Sequence, residues 1–553
     1  MKSFKKILSY SHIKFVNSAI FCHNSLTELT KKYEKLKFFI YCNGTLLDHV
    51  QRSKIFNDCK HFVDLPLRYN PDVKMFGSLF DQLLIWHSPL ERYASRFKRE
   101  ITLNKWNELL KNNRLMKEEI KQFIKTYFDE LNNDLECAIP NDYIDKNDFV
   151  FDKIQCKEYQ IWAKELHRKW PKLCRKVSKN VKSYPYNYSI INIPNIFVIP
   201  GGRFREMYYW DSFFIIKGLL ASKMYSTACG IIENIGYMID KYGFMPNANR
   251  IYYLNRSQPP ILTWCIYLYY NISKDINFLK KAIKWIEKEI KFFQEKRLVH
   301  ISDVNITLFR YKVNVKTPRP ESYREDIFSA QNFLQSEEKE HFWGEIVAAA
   351  ESGRDFSSRW FSANGPSAGK IASIRTSSVI PIDLNAIICG NWKLMANIYE
   401  ILEDDINSKI YLQKYENMRK AIHQVFFLRF NISSIVNYLT KSGVLIFPGG
   451  LPCSLTESGE QWDFPNAWAP TTWILIQGLR FHGETQLAKQ IAEKWIRKSY
   501  KMWKNSGGQM YEKYNVLYDY NGGGGEYEIQ EGFAWTNGVI LDLLLVYPDM
   551  NLS

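Results

Sequence analysis

The sequence predicts an all-α chain in which pairs of helices close into a toroid, and three observations carry that expectation. Apolar residues recur at helical spacing in long blocks, each sufficient for two helices and broken at Gly, Pro or Asn. Few segments alternate as strands do. The connections between blocks are long, unequal, and rich in aromatics and glycine, whereas a solenoid of stacked hairpins would repeat at a fixed period. Loops of that kind, gathered at one end of a ring, build a pocket.

In chain order, residues 1–35 are rich in Lys, Ser and Asn with little periodicity and read as a leader or flexible tail. Their opening MKSFKK resembles the n-region of a signal peptide, but His12, Lys14 and Asn17 interrupt the apolar stretch behind it. Leu47, Val50, Ile55 and Phe56 begin the helical pattern, and Phe76 to Trp86 continues it. Between Lys153 and Lys182 a dense run of basic residues accompanies Trp162, Leu166, Trp170 and Leu173 at helical spacing, which predicts an amphipathic helix with a solvated basic face. Ile190 to Ile199 is a candidate short strand. Phe213, Ile216, Leu219 and Leu220 then lead into Ile231, Ile232, Ile235 and Met238, followed by the blocks Ile261 to Phe293, Leu384 to Phe427, and Pro470 to Trp503. Although 553 residues suggest three or four domains by length alone, this pattern reads as one domain over 36–548 with a tail at 549–553.

Hydrophobic residues at 46% and charged residues at 24% exclude disordered and collagen-like classes. The net charge of +16 permits a polyanionic partner, but the basic residues are spread along helix faces, so neither nucleic acid nor stable membrane insertion is expected. No apolar run approaches the ~18 residues of a membrane span. The ten cysteines show no CxxC or metal-finger spacing. Seven N-x-S/T sequons give weak support for secretion. Gly365 to Lys370 imitates a phosphate loop, yet it has three residues between its glycines and Ile371 where a Ser or Thr should hold the metal.

Arg, carboxylate and Trp concentrate in three loop-like segments: Pro200 to Asp211, Glu351 to Trp360, and Gln461 to Pro470. Near the C-terminus follow Tyr511 to Tyr514, Gly525 to Tyr527, and Phe533 to Gly538. Trp and Tyr faces pack on the C–H face of a sugar ring, while Arg, Asn, Gln and carboxylates satisfy its hydroxyls. Glycoside hydrolysis further needs two carboxyl groups, one protonated and one ionised. Any one of these residues taken alone is explained better by a structural salt bridge or cap, as Asp211 at the start of a helix shows; it is their clustering that favours a site.

These segments resemble the trehalase family of glycoside hydrolases. Both family signatures are present, PGGRFREMYYWDSFF at 200–214 and QWDFPNAWAP at 461–470, together with FMPNANRIYYLNRSQPP at 244–260, PRPESYRED at 318–326, ESGRDFSSRWF at 351–361, and EKY with GGGGEYEIQEGFAWTNG within 512–538. GTLLDHVQRSKIFNDCKHFVDLPL at 44–67 is similar to the animal branch, and the resemblance covers about residues 40 to 545. It implies an (α/α)6 toroid, hydrolysis of α,α-trehalose to glucose with inversion, no metal or cofactor, secretion, and a monomer or weak homo-oligomer. It also implies roles: Asp355 as general acid, Glu512 as general base, and Arg203, Trp210, Asp211, Asn247, Arg256, Gln258, Arg319, Glu321, Gly353 and Glu526 as substrate contacts. Gly522 to Gly525 would be a mobile lid carrying Glu526.

The chain departs from the family pattern at three places. Arg354 stands where the family has Trp, Asn515 where it has Asp, and Ala534 where it has Gly. A guanidinium at 354 that faced Asp355 would stabilise the carboxylate and oppose an acid role. The alternative reading is therefore a weakened or inactive sugar-binding relative.

Overall fold

The computed structural model describes residues 34–68, 113–131, 133–146, 148–426 and 432–552. The predicted leader, except its last two residues, and the block Phe76 to Trp86 lie outside these. An N-terminal block comprises α1 (Thr45–Ser53), α2 (Cys59–Asp64) and α3 (Asn113–Tyr127). The body contains α4 (Lys157–His167), α5 (Tyr209–Ala221), α6 (Tyr225–Tyr242), α7 (Leu262–Ser273), α8 (Ile276–Lys296), α9 (Ser336–Glu351), α10 (Ile382–Ile401), α11 (Asp405–Phe426), α12 (Ile432–Lys441), α13 (Ala469–Phe481), α14 (Thr485–Asn505) and α15 (Ala534–Val546). Four of the predicted blocks thus resolve into hairpins: α5–α6, α7–α8, α10–α11 and α13–α14.

Helix α8 buries Phe278, Leu279, Ala282, Ile283, Ile286, Ile290 and Phe293, the i, i+3, i+4 stripe of an outer helix, and turns Lys280, Lys281, Lys284, Lys288 and Lys291 to solvent. On this helix the basic residues are solvated and spread along one face. By contrast α5 and α15 are buried on nearly every side, as helices of an inner ring must be. Helix α5 packs on α6, α7 and α15, and α15 packs in turn on α13 and α4. The last helix therefore closes the ring against the first inner one. Two glycines bring them together: a Cβ on Gly538 would lie 2.1 Å from the Phe214 carbonyl oxygen, and one on Gly218 would lie 2.5 Å from the Gly538 Cα.

The stretch 153–182 is not one helix. Helix α4 ends at His167, Pro171 lies in the short turn of helix Trp170–Leu173, and the chain continues as a strand at Cys174–Val177. Trp162, Leu166 and Trp170 still face the core, so the apolar spacing was real while the helix was broken. Within the candidate strand 190–199 only Phe197–Val198 forms a strand, antiparallel to Cys174 and Arg175, while Ile190 makes a single antiparallel bridge to Arg250. Two short antiparallel pairs matter for position: Leu298–Ile301 with Ile306–Phe309, and Asn466–Trp468 with Lys513–Asn515.

The N-terminal block has its own apolar cluster, which it shares with Tyr208, Ala248, Tyr252 and Tyr253 of the body. Beneath that contact lies a buried charge network. Lys60 pairs with Asp64 at 2.6 Å and Glu206 at 2.8 Å, and Arg250 pairs with Glu206 at 2.9 Å and Asp134 at 2.8 Å. Arg205 adds a contact to Asp134 at 3.3 Å. Three cations meet three carboxylates, so the network is neutral; removing one member would strand a buried charge.

Gly538→Ala should destabilise the protein by at least the about 1–3 kcal/mol typical of overpacking, because the obstacle is backbone. The denaturant midpoint measures this, and an unchanged midpoint would contradict the glycine closure.

Candidate active site

The loops at one end of the ring surround a cavity, and all twelve residues singled out in the sequence line it. Trp210 and Asp211 occupy the first turn of α5, whose N-cap is Tyr208. Asp211 is therefore not the cap that its sequence position allowed. Tyr209, between the cap and Trp210, donates its amide hydrogen to the Asn247 carbonyl at 3.0 Å, and Trp210 donates its own to Gln258 Oε1 at 3.0 Å. Gly353 follows the C-terminus of α9 with φ +70°, a conformation glycine adopts without strain. A Cβ there would meet the Trp210 ring at 2.9 Å, so its contribution is the close approach of backbone to indole. The Trp462 and Trp468 rings stack at 4.0 Å, and Trp535 meets Trp210 edge-on at 5.6 Å. The aromatic excess of the sequence is in part this wall.

Each of the three arginines is held by a carboxylate. Arg203 donates from Nε and Nη2 to Asp58 at 2.7 and 2.6 Å. Arg256 donates from Nη2 to Glu321 at 2.7 Å and from Nε to Asn247 Oδ1 at 2.8 Å. Arg319 binds Asp326 side-on and gives Nη2 to Glu526 at 2.6 Å. Arg256 Nη1, Glu321 Oε2 and Glu512 Oε2 are buried without a protein partner among the described residues. Burying a polar atom costs free energy unless it is hydrogen-bonded, and here three face one cavity.

The two predicted catalytic carboxyls differ in their surroundings. Burial raises Asp355 to about 7, opposed mainly by Arg319, whose Nη1 stands 3.9 Å from Oδ2. Glu512 is also raised by burial, opposed first by the charge of Lys513 and next by a hydrogen bond that Tyr527 OH donates to Oε1 at 2.8 Å. Asp211 is pushed to about 8 by burial and by the neighbouring Glu512 and Asp355.

Arg354 does not face Asp355. Its Nη1 lies 3.3 Å from Asp383, which Arg359 also grips at 2.9 Å, and the two guanidiniums lower Asp383 to about 2. The feature that motivated a weakened relative is thus directed away from the acid. Asn515 Oδ1 accepts from the Leu517 and Tyr518 amides, a turn function that an Asp would share. Ala534 opens α15 and is buried. The expected lid is strapped down: Asn466 exchanges hydrogen bonds with the Gly523 backbone, and Lys513 donates to the Gly524 carbonyl.

Sequence reasoning missed Asp58 and Asp326. Asp58 also accepts from the Lys60 amide as the N-cap of α2, so its local pattern signals only the cap. Asp326 lay within a recognised segment but carried no separate signal. Among the described residues, no group of three or more His, Cys, Asp or Glu is arranged to hold a metal ion. No described helix is long and apolar enough to cross a membrane, and the nine described cysteines are free.

A helical toroid whose loops present tryptophans, side-on arginines and two differently placed carboxyls defines a carbohydrate-active enzyme of the glycoside hydrolase type. A family model, Trehalase, matches residues 77–429 and 428–548. The chain is 35% identical to a trehalase of Pimpla hypochondriaca over 95% of its length and 92% of the relative's. It is equally 35% identical to a trehalase of Homo sapiens, over 92% of its length and 89% of that protein's. The fold matches neutral trehalase from Saccharomyces cerevisiae with a TM-score of 0.51 at 22% identity, over 64% of this chain and 74% of that one. The chain belongs to the trehalase family.

A carboxyl whose folded-state pKa lies above its unfolded value stabilises the fold while protonated, and that contribution is lost as pH rises through the folded value. Asp355→Asn should therefore raise the thermal midpoint relative to wild type by more at pH 8, above about 7, than at pH 5. An equal change at both pH values would contradict a proton held on Asp355.

Proposed function

We propose that the chain hydrolyses α,α-trehalose to two glucose molecules, with Asp355 as general acid and Glu512 as general base. The observation that carries the reading is the pair of carboxyls in one aromatic, arginine-lined cavity, with burial raising Asp355 to about 7 and a positive side chain countering the same shift on Glu512. Asp355, protonated, donates to the glycosidic oxygen as the bond breaks. Glu512, ionised, takes a proton from a water that attacks the anomeric carbon from the opposite face, and this inverts its configuration. Arg203, Arg256 and Arg319, with Asn247, Gln258, Glu321 and Glu526, satisfy the sugar hydroxyls. Trp210 supplies an apolar face, Asp211 a neutral carboxyl, and Gly353 the close backbone.

Secretion belongs to the same reading. Its support is the likeness to animal trehalases and the exposure of the sequon residues Asn271 and Asn305.

Asp355→Asn and Glu512→Gln should each lower glucose release by about 10²–10⁴-fold while the far-ultraviolet spectrum stays unchanged. Retention of most activity in either variant would remove that residue from its role. Wild-type enzyme should initially release α- and β-glucose in equal amounts, followed by polarimetry or NMR; α-glucose alone would exclude inversion. Activity should fall on the alkaline side as pH passes through about 7 and Asp355 loses its proton.

A further inference from the structure

Lys513 is fully buried at the start of the strand that directly follows Glu512, a place where an ammonium is costly unless the site uses it. Both of its hydrogen-bond acceptors are neutral: Gln461 Oε1 at 2.7 Å and the Gly524 carbonyl at 3.1 Å. Its Nζ also stands 5.0 Å from the centroid of Trp468, one of the stacked tryptophans of the cavity wall. Each contact leads to a different part of the site. The Gln461 amide donates to the main-chain carbonyl of Asp355. Gly524 lies two residues before Glu526, the carboxylate that holds Arg319. Glu512 is the adjacent residue in the chain.

We propose that Lys513 is a positioning residue for the hydrolysis: its buried ammonium, clamped between the Gln461 amide and the Gly524 carbonyl, holds the Asp355 loop, the Glu512 segment and the Glu526 strap in one arrangement and supplies the positive field at Glu512. The inference rests on the catalytic reading above and extends it to a side chain that does not line the cavity. A neutral side chain would fill the space but would not counter the charge of Glu512. Lys513 is the foremost influence opposing the upward push of burial on Glu512, ahead of Tyr527 and Arg203, while Asp211 on α5 is a further charge neighbour. The groups that face Lys513 itself are Glu512, Asp355 and Cys453.

The test compares Lys513→Met, Lys513→Arg and Gln461→Met in the full chain, measuring kcat and KM for trehalose across pH. Lys513→Met should lower kcat about 10²-fold, within the range of a misplaced acid–base pair, with KM changed by less than about threefold. Its acidic limb in kcat/KM should move upward by about one pH unit, because losing a nearby cation disfavours the ionised base. The alkaline limb should move less in the same direction. Lys513→Arg keeps the charge and should return the acidic limb to its wild-type position. Gln461→Met keeps the ammonium, so it should lower kcat about tenfold and leave the limb in place. An acidic limb unmoved in Lys513→Met, or moved equally in Lys513→Arg, would overturn the proposal. If Lys513→Met does not fold, wild-type kcat in Gln461→Met, or a displaced limb in Lys513→Arg, overturns it as well. Asp355→Asn and Glu512→Gln assayed alongside separate the two readings. If those remain inactive while the Lys513 pattern fails, only the role of Lys513 falls. If they remain active, the catalytic assignment falls first.

Discussion

Asp355 keeps its proton near neutral pH only where its carboxyl is shielded from bulk water, and a shielded site tolerates uncompensated charge poorly. This constraint arranges the whole rim. Arg203 is matched by Asp58, Arg256 by Glu321, and Arg319 by Asp326 and Glu526. Once these pairs are made, Asp355, Glu512 and Asp211 remain as cavity carboxyls with no cation in hydrogen-bond reach, and burial pushes all three upward, as it does the paired Asp326. The chemistry falls to groups that the charge balance leaves over. Arg354 fits the same logic: a cation next to the acid is tolerated because Asp383 draws it to the far side.

The ring and the N-terminal block serve this balance. The segment 200–211 carries Arg203, Trp210 and Asp211, and it is pinned from below, through Glu206, by the neutral network of Lys60, Arg205 and Arg250 with Asp64, Asp134 and Glu206. Pairs of this kind seldom add much stability over an apolar core, but breaking them is expensive, so they specify one arrangement of the loop. From the opposite side, the Ala534 amide donates to the Pro200 carbonyl at 2.7 Å, which ties the start of the same loop to the helix that closes the ring. The position of Arg203 thus depends on Asp58 of the N-terminal block and on Gly538 of the last helix, at opposite ends of the sequence.

What the sequence disclosed follows from the range of each signal. Hairpins such as α7–α8 and α13–α14 were legible because an outer helix advertises its apolar stripe at i, i+3 and i+4, and turns punctuate the chain between partners. The same periodicity misled at 153–182, where Trp170 continues the stripe in space after the helix has ended, because burial and not helicity sets the spacing. All twelve singled-out site residues came from long motifs and converge on one cavity. Asp58 was not legible, since its partner Arg203 lies 145 residues away and its local pattern is fully explained by capping. Nor was the outward turn of Arg354, which depends on Asp383 in another helix. The run of four glycines suggested freedom by composition, whereas its backbone is tied by Asn466 and Lys513 from neighbouring strands.

The arginines show how such a site is prepared for a sugar before one arrives. All three make their close hydrogen bonds to protein through Nε and Nη2, one edge of the guanidinium fork. Their Nη1 groups are left: that of Arg256 is buried without a partner among the described residues, and that of Arg319 reaches only to 3.9 Å from Asp355. A lysine has no second edge to anchor, so it would have to choose between the carboxylate and the ligand. An anchored guanidinium has already lost its rotamer freedom on folding, and binding need not pay for it again. The rigid fork also places Nη1 in the plane set by the carboxylate. The carboxylates on the rim therefore act on the substrate through the arginines as much as by direct contact, and their geometry decides where the sugar hydroxyls must lie.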